Sequence, residues 1–137
     1  MAVLAFSEMF RDRLFEAARA ARAHAYSPFS GFAVGAAVLT EDGQIFAGCN
    51  VENRSFGLSL CAERAAVAAA VTGGARKFRA IAVVTDASPP AAPCGLCRET
   101  LAEFCGAGLE IQLENLEGER RETTLGELFP DPFVLVR

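Results

Sequence analysis

Three cysteines and one glutamate constrain the fold of this chain more than any other feature. They stand in two short segments, Cys61-Ala62-Glu63 and Pro93-Cys94-Gly95-Leu96-Cys97. A Cys-x-x-Cys pair can bite one tetrahedral metal, and Zn²⁺ prefers sulfur and nitrogen ligands. Both segments fall at expected helix starts, where unpaired backbone N–H groups and the positive end of the helix dipole stabilise thiolates. A fold in which Cys61, Cys94 and Cys97 share one metal must therefore bring two helix N-termini to one point. Three protein ligands and an open position are the arrangement of a catalytic zinc, where the pKa of a bound water falls from about 15.7 towards roughly 7. Three thiolates leave the site net negative and the metal a poorer Lewis acid. Arg64, one helical turn from Cys61, is the cation placed to compensate. Glu63 stands at the mouth of a helix that carries no further charge between Arg64 and Thr72. A partly desolvated carboxylate there has a raised pKa and can carry protons near neutral pH.

Other readings of these residues stay open at this stage. A structural zinc would need a fourth ligand, and Cys49, Cys105 and His24 are available. A redox dithiol at Cys94–Cys97 would leave Cys61 and Glu63 unexplained. Glu63 alone could merely complement a helix dipole, and Arg64 could be a surface charge. The spacing of the cysteines favours the catalytic reading.

The 137 residues suit a single domain, 1–137, and a hydrophobic fraction of 52% is ample for a core. A net charge of −4 without clustered Lys and Arg argues against a nucleic-acid or anionic-membrane partner. The apolar runs fall short of the roughly 18 residues needed to span a bilayer. Met1–Phe6 lacks a basic n-region, so no signal peptide is expected and a cytoplasmic protein is. Five cysteines in a reducing compartment suggest metal or catalysis rather than disulfides.

The hydrophobic pattern predicts a helix from Ser7 to about Ala25, with Phe10, Leu14, Ala17, Ala18, Ala21 and Ala25 on one face. A hairpin follows, Phe32–Thr40 and Gln44–Cys49 around Glu41-Asp42-Gly43. An Ala/Val helix is expected over Cys61–Val71, ended by Gly73–Gly74. Arg79–Thr85 reads as a central strand covered on both faces, and Cys94–Cys105 as another helix. Leu109–Leu113 and Arg120–Thr124 read as strands, and Leu125–Phe129 as a short helix. Together these make an α/β sandwich, a mixed sheet of about five strands covered by helices.

The pattern matches a general zinc-deaminase signature of a His or Cys ligand, x, Glu, then Pro-Cys-x-x-Cys. From about residue 20 to 133 it resembles the small homo-oligomeric zinc-dependent cytidine deaminases. The resemblance runs through Tyr26-Ser27-Pro28-Phe29-Ser30-Gly31-Phe32-Ala33-Val34-Gly35-Ala36-Ala37, Gly48-Cys49-Asn50-Val51-Glu52-Asn53, Cys61-Ala62-Glu63-Arg64, Pro93-Cys94-Gly95-Leu96-Cys97-Arg98 and Glu127-Leu128-Phe129-Pro130.

The resemblance implies a three-layer α/β/α sandwich with one Zn²⁺ per chain on Cys61, Cys94 and Cys97. It implies hydrolytic deamination of cytidine, and of deoxycytidine, with zinc-activated water and Glu63 as proton shuttle. The Ala62 backbone N–H would contact the base, Phe32 would lie against the pyrimidine, and Asn50 with Glu52 would hold the ribose hydroxyls. Arg64 would hydrogen-bond the thiolates. Phe133 would reach a neighbouring subunit's site in a tetramer with shared active sites. The chain departs from the family pattern at Arg54 and Phe56, where many relatives carry Ala and Tyr, which bears on substrate preference. An aminopyrimidine deaminase acting on a nucleoside antibiotic, or on a polynucleotide, is the alternative within the reaction class. A structural zinc module is the alternative outside it.

Overall fold

The computed structural model describes residues 2–136, with side chains from residue 8 onward. In chain order the elements are α1 (Ala2–Arg22), β1 (Gly35–Thr40), β2 (Ile45–Cys49), α2 (Ala62–Thr72), β3 (Phe78–Thr85), α3 (Gly95–Phe104), β4 (Glu110–Asn115), β5 (Arg120–Thr124) and α4 (Leu125–Leu128). The five strands form one sheet in the order β2-β1-β3-β4-β5. Only β3 and β4 run parallel, and the other neighbouring pairs are antiparallel. The parallel pair needs a crossover, which α3 supplies.

Alternation along the strands explains the layers. Ala36, Val38, Ile81, Val83, Ile111 and Leu113 face one way, into a core shared with Ala62, Ala66, Val67 and Ala70 of α2 and Leu101 of α3. Ala37, Leu39, Ala80, Ala82 and Val84 face the other way, onto Leu14, Phe15 and Ala18 of α1. This is the three-layer α/β/α sandwich expected from the sequence. The central strand β3 is buried from Ala80 to Thr85 because helices cover both its faces.

Two glycines set the distance between layers. A Cβ at Gly48 would stand 2.5 Å from the backbone nitrogen of Ala66, and one at Gly35 only 2.0 Å from the carbonyl oxygen of Ala18. Each helix backbone thus lies against a strand with no side chain between them. The Ala-rich composition of α2 serves the same close approach, which presses the helix bearing Cys61 and Glu63 onto the sheet.

Three sequence expectations shift. The first helix starts earlier than Ser7 and ends at Arg22 rather than Ala25. Its last turn tightens through i−3 bonds from His24 N–H to Ala21 and from Ala25 N–H to Arg22. Phe15, outside the expected apolar face, is fully buried, with the Arg120 guanidinium 4.4 Å above its ring. The first strand begins at Gly35, not Phe32, because the preceding segment is held by the side chain of Asn50 rather than by a ladder.

The register places Glu110, Gln112 and Glu114 of β4 beside Ala80, Ala82 and Val84, on the face that α1 covers. Arginines bridge the helix to this polar half of the sheet. Glu114, 5% exposed, accepts from Arg19 Nε and Arg120 Nε at 2.7 Å each. Burial alone would raise its pKa, but the bonds from Arg19 and Arg120 outweigh that and hold it below the ordinary glutamate range. A carboxyl depressed in the folded state stabilises above its unfolded pKa and loses that contribution as pH falls through the folded one. Glu114→Gln is therefore expected to cost about 2–3 kcal/mol at pH 7, with the difference shrinking below about pH 4. Urea unfolding of both proteins at several pH values measures this; a penalty independent of pH would contradict the ion-pair account.

Candidate active site

Cys61 and Cys94 are the N-cap residues of α2 and α3, and neither spends its side chain on a capping bond. Cys97 lies in the first turn of α3 and is fully buried. The two helix starts meet, as the cysteine spacing requires. The Cys61 and Cys94 sulfurs are 3.7 Å apart, those of Cys94 and Cys97 are 3.6 Å apart, and all three lie within 4.8 Å of one another. Two sulfurs at 2.3 Å from a tetrahedral zinc stand about 3.8 Å apart, so this donor set fits that ion in both spacing and chemistry. A disulfide would need about 2.05 Å.

The Cys61 thiol is depressed to about 5, first by its contact with Cys97 and then by Arg64. Cys97, buried beside it, is pushed upward. Three sulfurs drawn this close call for a cation. Arg64 reaches it: its Nη2 lies 3.7 Å from the Cys61 sulfur and donates to the Ser59 carbonyl at 3.0 Å. Cys49, Cys105 and His24 lie outside the cluster, so the four-ligand structural site has no fourth donor among the described residues. Cys105 instead packs beside the core, where burial lifts its thiol to about 11.

Glu63 follows on the first turn of α2 and is 5% exposed. Burial raises its pKa to about 7, while its own backbone N–H and Arg64 restrain the rise. Glu63, Cys61 and Cys94 line one pocket of about 250 Å³, together with Ala62, Val83 and Thr85. Val83 and Thr85 lie at the carboxyl end of β3, where open α/β sheets bind ligands. Phe32, Asn50 and Glu52 line the same pocket, so all the expected substrate residues except Phe133 come together.

The two polar ones also build the wall. Asn50 Oδ1 accepts from the Val34 N–H at 2.8 Å, and its Nδ2 donates to the Phe32 carbonyl at 2.7 Å. One Glu52 oxygen accepts from the N–H groups of Phe29 and Ser30, and the other from the Ser30 hydroxyl. These bonds, the hydroxyl's foremost, keep Glu52 ionised below its usual range.

Residues 9–109 match the family described as the cytidine and deoxycytidylate deaminase zinc-binding region. This chain belongs to the cytidine deaminase family.

A cytidine deaminase of Halalkalibacterium halodurans is 47% identical over 126 residues, covering 92% of this chain and 96% of the relative. One from Sporosarcina psychrophila is 47% identical over 122 residues, covering 89% and 90%. The crystal structure of cytidine deaminase from Burkholderia pseudomallei superposes with a TM-score of 0.85 at 51% identity, covering 89% of this chain and 98% of that one.

In this deaminase Phe133 is 76% exposed and lines a surface recess with Glu99 and Ala102 of α3, not its own chain's pocket. Phe56 stacks edge-to-face on Phe29 with ring centroids 5.8 Å apart. The two rings form part of a recess that shares Ser30, Glu52 and Ser59 with the pocket. Arg54 is exposed and forms no ion pair among the described residues. One positioning residue was missed by sequence reasoning. Arg98 donates to the Pro93 carbonyl at 2.8 Å and to the Leu128 carbonyl at 2.6 Å, pinning the cysteine loop to α4. Its signal was its place directly after Cys97. No helix among the described residues is long and apolar enough to cross a membrane.

Proposed function

We propose that this chain deaminates cytidine, and deoxycytidine, to uridine or deoxyuridine and ammonia, with one zinc ion on Cys61, Cys94 and Cys97. The observation that carries this reading is three sulfurs at zinc spacing, two of them lining one apolar pocket together with a buried carboxylate. Zinc, when bound, supplies Lewis-acid activation of water. Glu63 would take a proton from the attacking water and pass it to N3 of the pyrimidine as oxygen adds at C4. It would then take the proton of the new C4 hydroxyl and give it to the C4 amino group, which leaves as ammonia. Arg64 balances the thiolate charge. The backbone N–H of Ala62, unpaired at the helix start, faces the base, and Phe32 lies against the ring.

The ribose falls to Asn50 and Glu52. A carboxylate offers about four lone-pair sites, and Glu52 has spent three within the chain. The fourth accepts a sugar hydroxyl. Asn50 retains one Nδ2–H. Glu52→Gln is expected to lower kcat/KM for cytidine about ten- to a hundred-fold while leaving free cytosine nearly unchanged. Equal losses on both substrates would show that Glu52 serves only its loop.

The tail supports an assembly. Phe133, Val134, Leu135 and Val136 are all at least 60% exposed, an apolar run that water does not favour. Its occupant is a second copy of this chain, and the complete assembly is a homotetramer in which Phe133 closes a neighbour's pocket. Deleting residues 133–137 is expected to lower the mass seen by light scattering and raise KM with zinc retained. An unchanged mass and KM would remove the shared-site proposal. Cytoplasmic pyrimidine salvage is the role that suits such an enzyme. The reading as a whole is tested by incubating the zinc-loaded protein with cytidine and measuring uridine and ammonia. Equimolar release supports it, and intact cytidine overturns it.

A further inference from the structure

A second cavity, of about 240 Å³, lies on the α1 face of the sheet, where β3 and β4 begin. The deaminase pocket is elsewhere, at the carboxyl end of β3. A break in the strand register shapes this second space. Leu39 pairs with Ala80 and Thr40 with Phe78, which leaves Arg79 without a partner across the ladder. Such bulges re-aim a side chain. Phe78 turns into the core with α2 and α3, while Arg79 lines the cavity on the opposite face. Arg79 forms no ion pair among the described residues.

Two buried donors stand beside it without acceptors. Gln112 of β4 is 3% exposed, and its Nε2 makes no hydrogen bond. Arg11 of α1 points its Nη2 towards Glu110 and Glu122 at 3.8 Å each, and its Nε is also buried and unpartnered. A buried donor left unmade costs more than an ordinary hydrogen bond contributes, so native folds rarely keep two side by side. Two guanidiniums and one carboxylate, Glu110, line the cavity. Glu122 reaches Arg11 from outside the lining, so Arg79 is the lining cation with no carboxylate of its own among the described residues. Phe10 and Leu14 add an apolar wall.

We propose that this cavity binds a small organic oxyanion, a carboxylate or phosphate carried on a flat apolar body. Its oxygens accept from Arg79, Arg11 Nε and Gln112 Nε2, and its body lies on Phe10 and Leu14. Aromatic rather than inorganic anions are selected because the wall offers area that a bare anion cannot use.

The test titrates zinc-loaded, full-length protein with benzoate, phenyl phosphate and inorganic phosphate. It follows by ¹⁵N–¹H NMR the Gln112 side-chain amide and the backbone amides of residues 79–80 and 110–112, which remain readable in every variant. The expected result is a saturable shift with Kd below about 1 mM for benzoate or phenyl phosphate. Inorganic phosphate should bind at least tenfold more weakly. Benzoate alone would assign a carboxylate ligand, and phenyl phosphate alone a phosphate. Arg79→Gln and Gln112→Leu should each weaken binding at least tenfold and leave kcat/KM for cytidine unchanged. Gln112→Leu should also keep or raise Tm, since it removes an unpartnered amide. No saturable shift with any of the three probes, or binding indifferent to Arg79→Gln, overturns the proposal. A marked fall in Tm for Gln112→Leu also overturns it, because it would show that the fold itself satisfies the amide.

Discussion

Replacing Glu63 by Gln is expected to lower kcat on cytidine by more than about 10³-fold while zinc content and fold stay intact. The side chain is nearly isosteric, so the pocket keeps its shape. What disappears is the proton: an amide can neither take one from water nor pass one to N3 and the leaving amine. General acid–base catalysis contributes typically about 10²–10⁴-fold for a proton transfer, and here one group serves more than one. The variant should be at least as stable as the parent, because a neutral amide is cheaper to bury than a carboxylate 5% exposed. Metal analysis, a melting curve and single-turnover kinetics on one preparation separate these effects. Near-normal turnover in the zinc-loaded variant would remove Glu63 from the chemistry.

The second large effect falls on the ligands. Cys97→Ala is expected to weaken zinc binding by well over the 10–100-fold that losing an outer-shell partner costs, since it removes a direct donor. Activity should fall with metal content. Cys49→Ala and Cys105→Ala should keep zinc and turnover, because neither sulfur belongs to the three-sulfur cluster. Cys105→Ala should lose some stability instead, as it opens a small gap beside the core. If Cys49→Ala stripped zinc as fully as Cys97→Ala, the three-thiolate site would be wrong.

The metal cluster was legible in the sequence because its logic is local. The three ligands sit at two helix starts, each marked by its own segment, and one metal then dictates that the starts converge. The strands were legible for a similar reason: burial on both faces writes an unbroken apolar run at Ala80–Val84. What stayed hidden depends on partners distant in the chain. The bond between Arg19 and Glu114 joins residues 95 positions apart, and no periodicity announces it. Asn50 reads as a ligand residue from its motif, yet its side chain also fastens Phe32 and Val34, which explains why β1 starts late. Arg79 reads as the first residue of a central strand, and the register break is what turns it onto the α1 face. Arg98 was visible as a motif letter, but its task of tying the cysteine loop to Leu128 becomes apparent only when α4 folds back.

The most direct test of the central claim follows zinc and cytidine in the same tube. Protein stripped with a chelator is reloaded stepwise, and at each step zinc per chain is measured beside the rate at which cytidine absorbance is lost. The rate is expected to rise in proportion to zinc and to stop rising at one ion per chain. Full activity in zinc-free protein, or a zinc-replete protein that leaves cytidine untouched, would contradict the account.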